Sequence, residues 1–117
     1  MPKGFRRILF AVRDVEAVTT GTLRKVAALA RSDGVRVELY HALTETIVVP
    51  RPRGLLPGPN LDDIFDSIAR KAAHRLDRLV RSAAMRGVRV SAHVDWDYPA
   101  HEAIVRRAVT TKADLVV

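Results

Sequence analysis

Ile8-Leu9-Phe10-Ala11-Val12 is a short, unbroken apolar run entered through Arg6-Arg7. A strand exposed on one side alternates apolar and polar residues. An unbroken run is what a parallel strand needs when helices cover both of its faces. The next segment changes period: Leu23, Val26, Ala27 and Ala30 repeat at three and four while Arg24, Lys25 and Arg31 fall elsewhere, which predicts a helix over about Thr20 to Ser32 with Gly34 as its stop. Val35 to Leu43 alternates at first and then becomes apolar, as a second strand with one more exposed end would.

The remaining chain continues the alternation. Residues 48–59 hold Pro50, Pro52, Pro57 and Pro59 with Gly54 and Gly58, so this stretch sustains neither a helix nor a central strand and is predicted to be a mobile loop. Asn60 can cap a long helix over 61–86, closed by Gly87. Leu61, Ile64, Phe65, Ile68, Ala72, Leu76, Leu79 and Ala83 make its apolar stripe, with Asp62, Asp63 and Asp66 early and Arg78, Arg81 and Arg86 late. Val88 to Trp96 alternates with period two, so Val88, Val90, Ala92, Val94 and Trp96 share a face, as in an edge strand. Pro99 can sit in the first turn of a third helix with Ala100, Ala103, Ile104 and Ala108 inward and Arg106 and Arg107 outward. Leu115-Val116-Val117 begins a fourth strand. The order βαβαβαβ predicts a three-layer α/β/α domain around an open parallel sheet with right-handed crossovers, one domain spanning 1–117.

Composition narrows the function classes. The chain has no cysteine, which removes disulfides, thiol nucleophiles and thiolate metal sites and agrees with a reducing, cytoplasmic setting. No stretch approaches the roughly 20 apolar residues of a membrane span, and the N-terminal apolar run is too short for a signal sequence. The net charge of +7 calls for an anionic partner to be weighed. The arginines are scattered, however, and Phe5, Phe10, Tyr40, Phe65, Trp96 and Tyr98 form no clustered stacking platform, so nucleic acid is disfavoured. The row Arg70, His74, Arg78 and Arg81 reads as a solvated helix face with Asp66–Arg70 and Asp77–Arg81 pairs in preference to a phosphate-binding face.

Catalytic signals are weak. His93 and Asp95 share a strand face, and with Asp97 and His101 they can be drawn as a metal or acid/base cluster. The plainer reading makes them the polar side of an amphipathic strand, with Asp97 capping the third helix, and no metal site is expected. His41, at the carboxyl end of the second strand, reads as a packed or partly exposed histidine. Ser32, Ser67, Ser82 and Ser91 have no elbow motif around them, so no catalytic residue and no enzymatic turnover are expected.

Three segments in this order, ILFAVRD, VELYHAL and PAHEAIVRRAVTTKADLVV, resemble the first, second and fourth strand regions of the universal stress protein family, and the resemblance runs over nearly the whole chain. Trp96, Pro99 and Glu102-Ala103-Ile104 are similar to the N-terminal half of tandem, two-domain members. The resemblance implies a Rossmann-like, adenine nucleotide alpha hydrolase-like sheet of strand order 3-2-1-4, C-terminally incomplete with its fifth strand missing. Nucleotide-binding members carry a Gly-x-x-Gly, nine-residue gap, Gly-Ser/Thr signature after the fourth strand, where backbone amides cradle phosphate. This sequence ends before it. Those members also have Asp directly after Ala-Val, where this chain has Arg13 and then Asp14; a carboxylate moved by one residue points the other way if the strand continues.

The implied function is a binding or scaffolding module in stress response, acting through a homodimer or a second domain of the same type at the open fourth-strand edge. No cofactor is expected for this fragment. In a complete chain the alternative is an ATP- or AMP-binding stress sensor, with Val12, Arg13, Asp14 and Ala42 near adenine and ribose. A salt-sensitive nucleic-acid binder is the third class.

Overall fold

The computed structural model describes residues 6–31, 34–44 and 61–117. Four strands, β1 (Arg7–Ala11), β2 (Arg36–Leu43), β3 (Arg89–Trp96) and β4 (Leu115–Val116), alternate with helices α1 (Thr20–Leu29), α2 (Leu61–Val80) and α3 (Ala100–Thr111). The Pro/Gly-rich segment 48–59 and the Asn60 cap lie outside the described residues.

The sheet is parallel throughout, in the order β3-β2-β1-β4 that the resemblance implies. The chain steps outward from β1 to β2 to β3, so right-handed crossovers put α1 and α2 on one face. It then returns past β1 to β4, which puts α3 on the other. Strand alternation feeds both layers. Ile8, Phe10, Val12, Val37 and Leu39 meet Leu23, Val26, Ala27 and Leu76 on the α1/α2 side. On the α3 side Leu9 and Tyr40 meet Ala103, with Ala42, Ile104 and Ala108 half-buried around them. β3 is an edge strand, as its alternation predicts, and Trp96 meets Phe65 of α2 edge-on at 5.0 Å.

Element ends show where local pattern misleads. α1 stops at Leu29, short of Ser32, because the Ala30 amide bonds back three residues to the Ala27 carbonyl and tightens the last turn. Thr19 caps its start through a 3.2 Å bond from the Thr22 amide to Oγ1. α2 ends at Val80, not Arg86. The Ser82 amide bonds the Leu79 carbonyl and the Met85 amide the Ser82 carbonyl, so the chain narrows into a 3-10 turn over Ala83–Met85. This turn carries Ala84 and Met85 into the core beside α1, a tertiary gain that a straight helix would forgo. Gly34 and Gly87 both have φ of +81°, the left-handed region that glycine enters at little cost, and each turns the chain into the following strand.

Candidate functional site

β1 and β4 are neighbours whose connecting helices lie on opposite faces, so the crevice beyond their carboxyl ends is the topological switch point where open α/β sheets bind ligands. Val12, just past the end of β1, is still tied to the sheet: its amide donates to the Tyr40 carbonyl (2.7 Å) and its carbonyl accepts from His41 Nδ1 (2.7 Å), so that nitrogen carries the proton. His41 is therefore a half-buried, backbone-bonded strand-end histidine, as expected. On its other side β1 stays bonded to the end of the chain, the Val117 amide donating to the Leu9 carbonyl (2.9 Å) and the Ala11 amide to the Val117 carbonyl (3.0 Å).

The four sequence-predicted crevice residues are not gathered on one wall. Val12 is buried in the α1/α2 core, whereas Ala42 lies on the α3 face, in register with Asp95. Arg13 and Asp14 are exposed at the rim. The strand does not continue through Asp14. Its Oδ1 accepts from the Glu16 amide (2.9 Å) and its carbonyl from the Ala17 amide (3.1 Å), so the carboxylate curls over its own turn. Strand alternation therefore does not set the direction of the Asp14 side chain.

A polar network beneath α3 was only half visible in the sequence. His93 and Asp95 do share a face, with His93 Nε2 donating to Asp95 Oδ1 at 2.8 Å. The third member is Tyr40, whose hydroxyl donates to Asp95 Oδ2 (3.1 Å) and whose ring stacks on His93 at 6.0 Å. Burial, then the bond to Asp95, pushes the Tyr40 phenol up to about 12. The signal that would have found it is cross-strand register, which periodicity within one strand does not contain. Among the described residues no group of three or more His, Cys, Asp or Glu is placed to hold a metal ion.

Two other expectations are corrected. Asp97 does not cap α3, whose N-cap is Pro99 with no side-chain bond. It accepts two bonds from Arg106 (2.6 and 3.1 Å) and one from the Tyr98 amide, and the Arg106 guanidinium foremost holds its carboxyl below the usual range. Arg107 does not face outward. It folds onto the sheet and makes a two-point pair with Glu38.

On α2 the Asp77–Arg81 pair forms (3.1 Å), and Arg75 pairs with Glu16. The expected Asp66–Arg70 pair is absent among the ion pairs of the described residues. Ser67, Arg70, Lys71, His74, Arg75 and Arg78 border a shallow depression of about 580 Å³. No helix among the described residues is long and apolar enough to cross a membrane.

No family model and no curated protein matches the sequence. Among solved structures, the chain is similar to a protein from the universal stress protein family from Burkholderia pseudomallei. The two share 18% identity at a TM-score of 0.69, over 99% of this chain and 82% of that one. The second likeness, to protein Rv1636 from Mycobacterium tuberculosis H37Rv, has 15% identity, a TM-score of 0.48, and covers 99% of this chain and 71% of that one; at that score it adds nothing to the assignment. The fold inferred from the sequence, a parallel sheet of order 3-2-1-4 with three helices, is thus that of a solved universal stress protein family structure.

Proposed function

We propose that this chain is a universal-stress-type binding and scaffolding module of the cytoplasm, acting through self-association or contact with a second domain of the same kind and without catalytic turnover. One observation carries this reading. Among the described residues β4 bonds to β1 alone, and its outer edge is flanked by Val116 at 45% exposure, while α3 presents Val105 and Val109, one turn apart, at 61% and 73%. An unpaired strand edge beside exposed valines is a template for pairing with another chain. Sedimentation equilibrium tests it: the chain should sediment as a dimer, and Val116→Lys with Val109→Glu should convert it to monomer. A wild-type chain that stays monomeric at working concentration refutes the proposal.

The second reading is a nucleotide sensor using the crevice at the β1/β4 switch point, favoured by the exposed Arg13 and Asp14 at its rim. Titration calorimetry of ATP and AMP into this chain, and into one extended past Val117 with a glycine phosphate loop, separates the two. Tight ATP binding by the extended chain replaces the scaffolding reading with the sensor.

A further inference from the structure

Parallel register places Arg7 directly opposite Arg36, and Arg36 directly opposite Arg89, so three arginines stand in one row across β1, β2 and β3. Neighbouring strands are about 4.8 Å apart, and the three cations cross roughly 10 Å of sheet. All three belong to the α3 face, since each precedes by two a residue that points there: Leu9, Glu38 and Ser91. The row lies at the amino ends of the strands, away from the crevice at the switch point. Like charges directly opposite in a sheet destabilise it. Among the described residues neither Arg36 nor Arg89 makes an ion pair.

The nearby negative groups are already engaged. Glu38 gives both oxygens to Arg107, and Asp114 Oδ2 accepts the Arg6 and Arg7 amides at 2.9 Å each. The carbonyls at the end of α3 are occupied as well. Arg7 donates to the Thr111 carbonyl, the Thr111 hydroxyl to the Arg107 carbonyl, and the Lys112 and Ala113 amides to Val109 and Ala108. A cavity of about 320 Å³ opens here, lined by Arg7 and Arg36 of the row with Glu38, Ser91, Thr111 and Ala113, while Arg89 stands outside its lining, next to Arg36 in the row.

From these placements we infer that the arginine row and its cavity are a binding site for a small ligand carrying a chain of two or three phosphates. Guanidinium groups bind phosphate oxygens two at a time, and a row of them matches charge spread along a phosphate chain better than the point charge of a single phosphate. The cavity is of small-ligand size and its lining contains no aromatic ring on which a base could stack, which sets nucleic acid aside.

Calorimetric titration of tripolyphosphate, orthophosphate, ATP and a short DNA duplex into this chain at low salt tests the site. Two charge-matched double variants serve as probes: Arg36→Gln with Arg89→Gln in the row, and Arg70→Gln with Arg78→Gln on α2. Tripolyphosphate should bind the wild type more tightly than orthophosphate. It should lose roughly tenfold or more in affinity in the row variant and keep its affinity in the α2 variant. The unliganded row variant should melt no lower than wild type, because repulsion has been removed.

Equal loss in both variants, no saturable tripolyphosphate binding, or tighter binding of the duplex than of tripolyphosphate overturns the inference. ATP binding lost in the row variant supports the site with a nucleotide as the source of the phosphates. ATP no tighter than tripolyphosphate supports it with an inorganic chain. ATP binding that survives in the row variant, with tripolyphosphate binding nowhere, belongs to the switch-point crevice and overturns the inference. Should the row variant not fold, amide shifts of the wild type on adding tripolyphosphate decide. Shifts at Arg36, Ser91 and Thr111 support the site, and shifts confined to Val12, Arg13 and Asp14 overturn it.

Discussion

Arg107 of α3 reaches across to Glu38 of β2 and pairs with it at two points, Nε to Oε1 at 2.6 Å and Nη2 to Oε2 at 2.9 Å. Both side chains are about one-fifth exposed, at 21% and 18%, so the pair is shielded from much of the screening that weakens surface ion pairs. It ties α3 to the middle of the sheet. It also keeps the Glu38 carboxylate from neutralising Arg36, its near neighbour on the same face.

Removing one partner leaves the other partly buried and unmatched. Glu38→Gln and Arg107→Met should each cost about 2 kcal/mol in urea unfolding. The double variant should cost clearly less than the sum, a coupling of about 1 kcal/mol or more. Strict additivity would show that the two groups are neighbours without energetic coupling.

Tyr40 makes an alkaline prediction. Its phenol is pushed up to about 12 in the folded state from an ordinary value of 10.0, so the folded protein holds this proton more tightly than the unfolded chain does. The stabilisation is therefore fully present below pH 10 and is lost as pH rises from there towards 12, by about 3 kcal/mol in all. Tyr40→Phe should lower stability at neutral pH by about 1 kcal/mol and remove this part of the alkaline fall. Absorbance titration of the phenolate, compared between wild type and variant, checks the assignment; a Tyr40 that titrates near 10 contradicts it.

Lys112 closes α3 with a left-handed backbone, φ 56° and ψ 45°, and its amide bonds the Ala108 and Val109 carbonyls. Its side chain is exposed, so nothing in the packing offsets the strain of that conformation. Lys112→Gly should stabilise the protein by about 1 kcal/mol and raise the melting temperature by several degrees. A lower melting temperature would mean that the lysine side chain contributes more than its exposure suggests.

The alternation of apolar runs with three-and-four periodicity at Ile8–Val12, 23–30 and 61–80 named the elements, their order and a parallel sheet, because these periods are imposed by backbone geometry within each segment. Boundaries were less legible where a tertiary contact decided them, as at Val80, where Ala84 and Met85 turn aside into the core. The placement of individual residues at the strand ends was less legible. Val12 and His41 stand at the switch point, yet Asp14 answers to a local turn and Ala42 to the opposite face.

By itself, the sequence determined which segments are helix and strand, their chirality of connection, and the absence of thiol chemistry. Tertiary structure alone decided which strand residues stand side by side: Tyr40 with His93, Arg7 with Arg36 with Arg89, Glu38 beneath Arg107. The reason is physical. Periodicity records the direction of a side chain relative to its own backbone, whereas pairing between strands depends on how far each crossover carries the chain before it returns to the sheet.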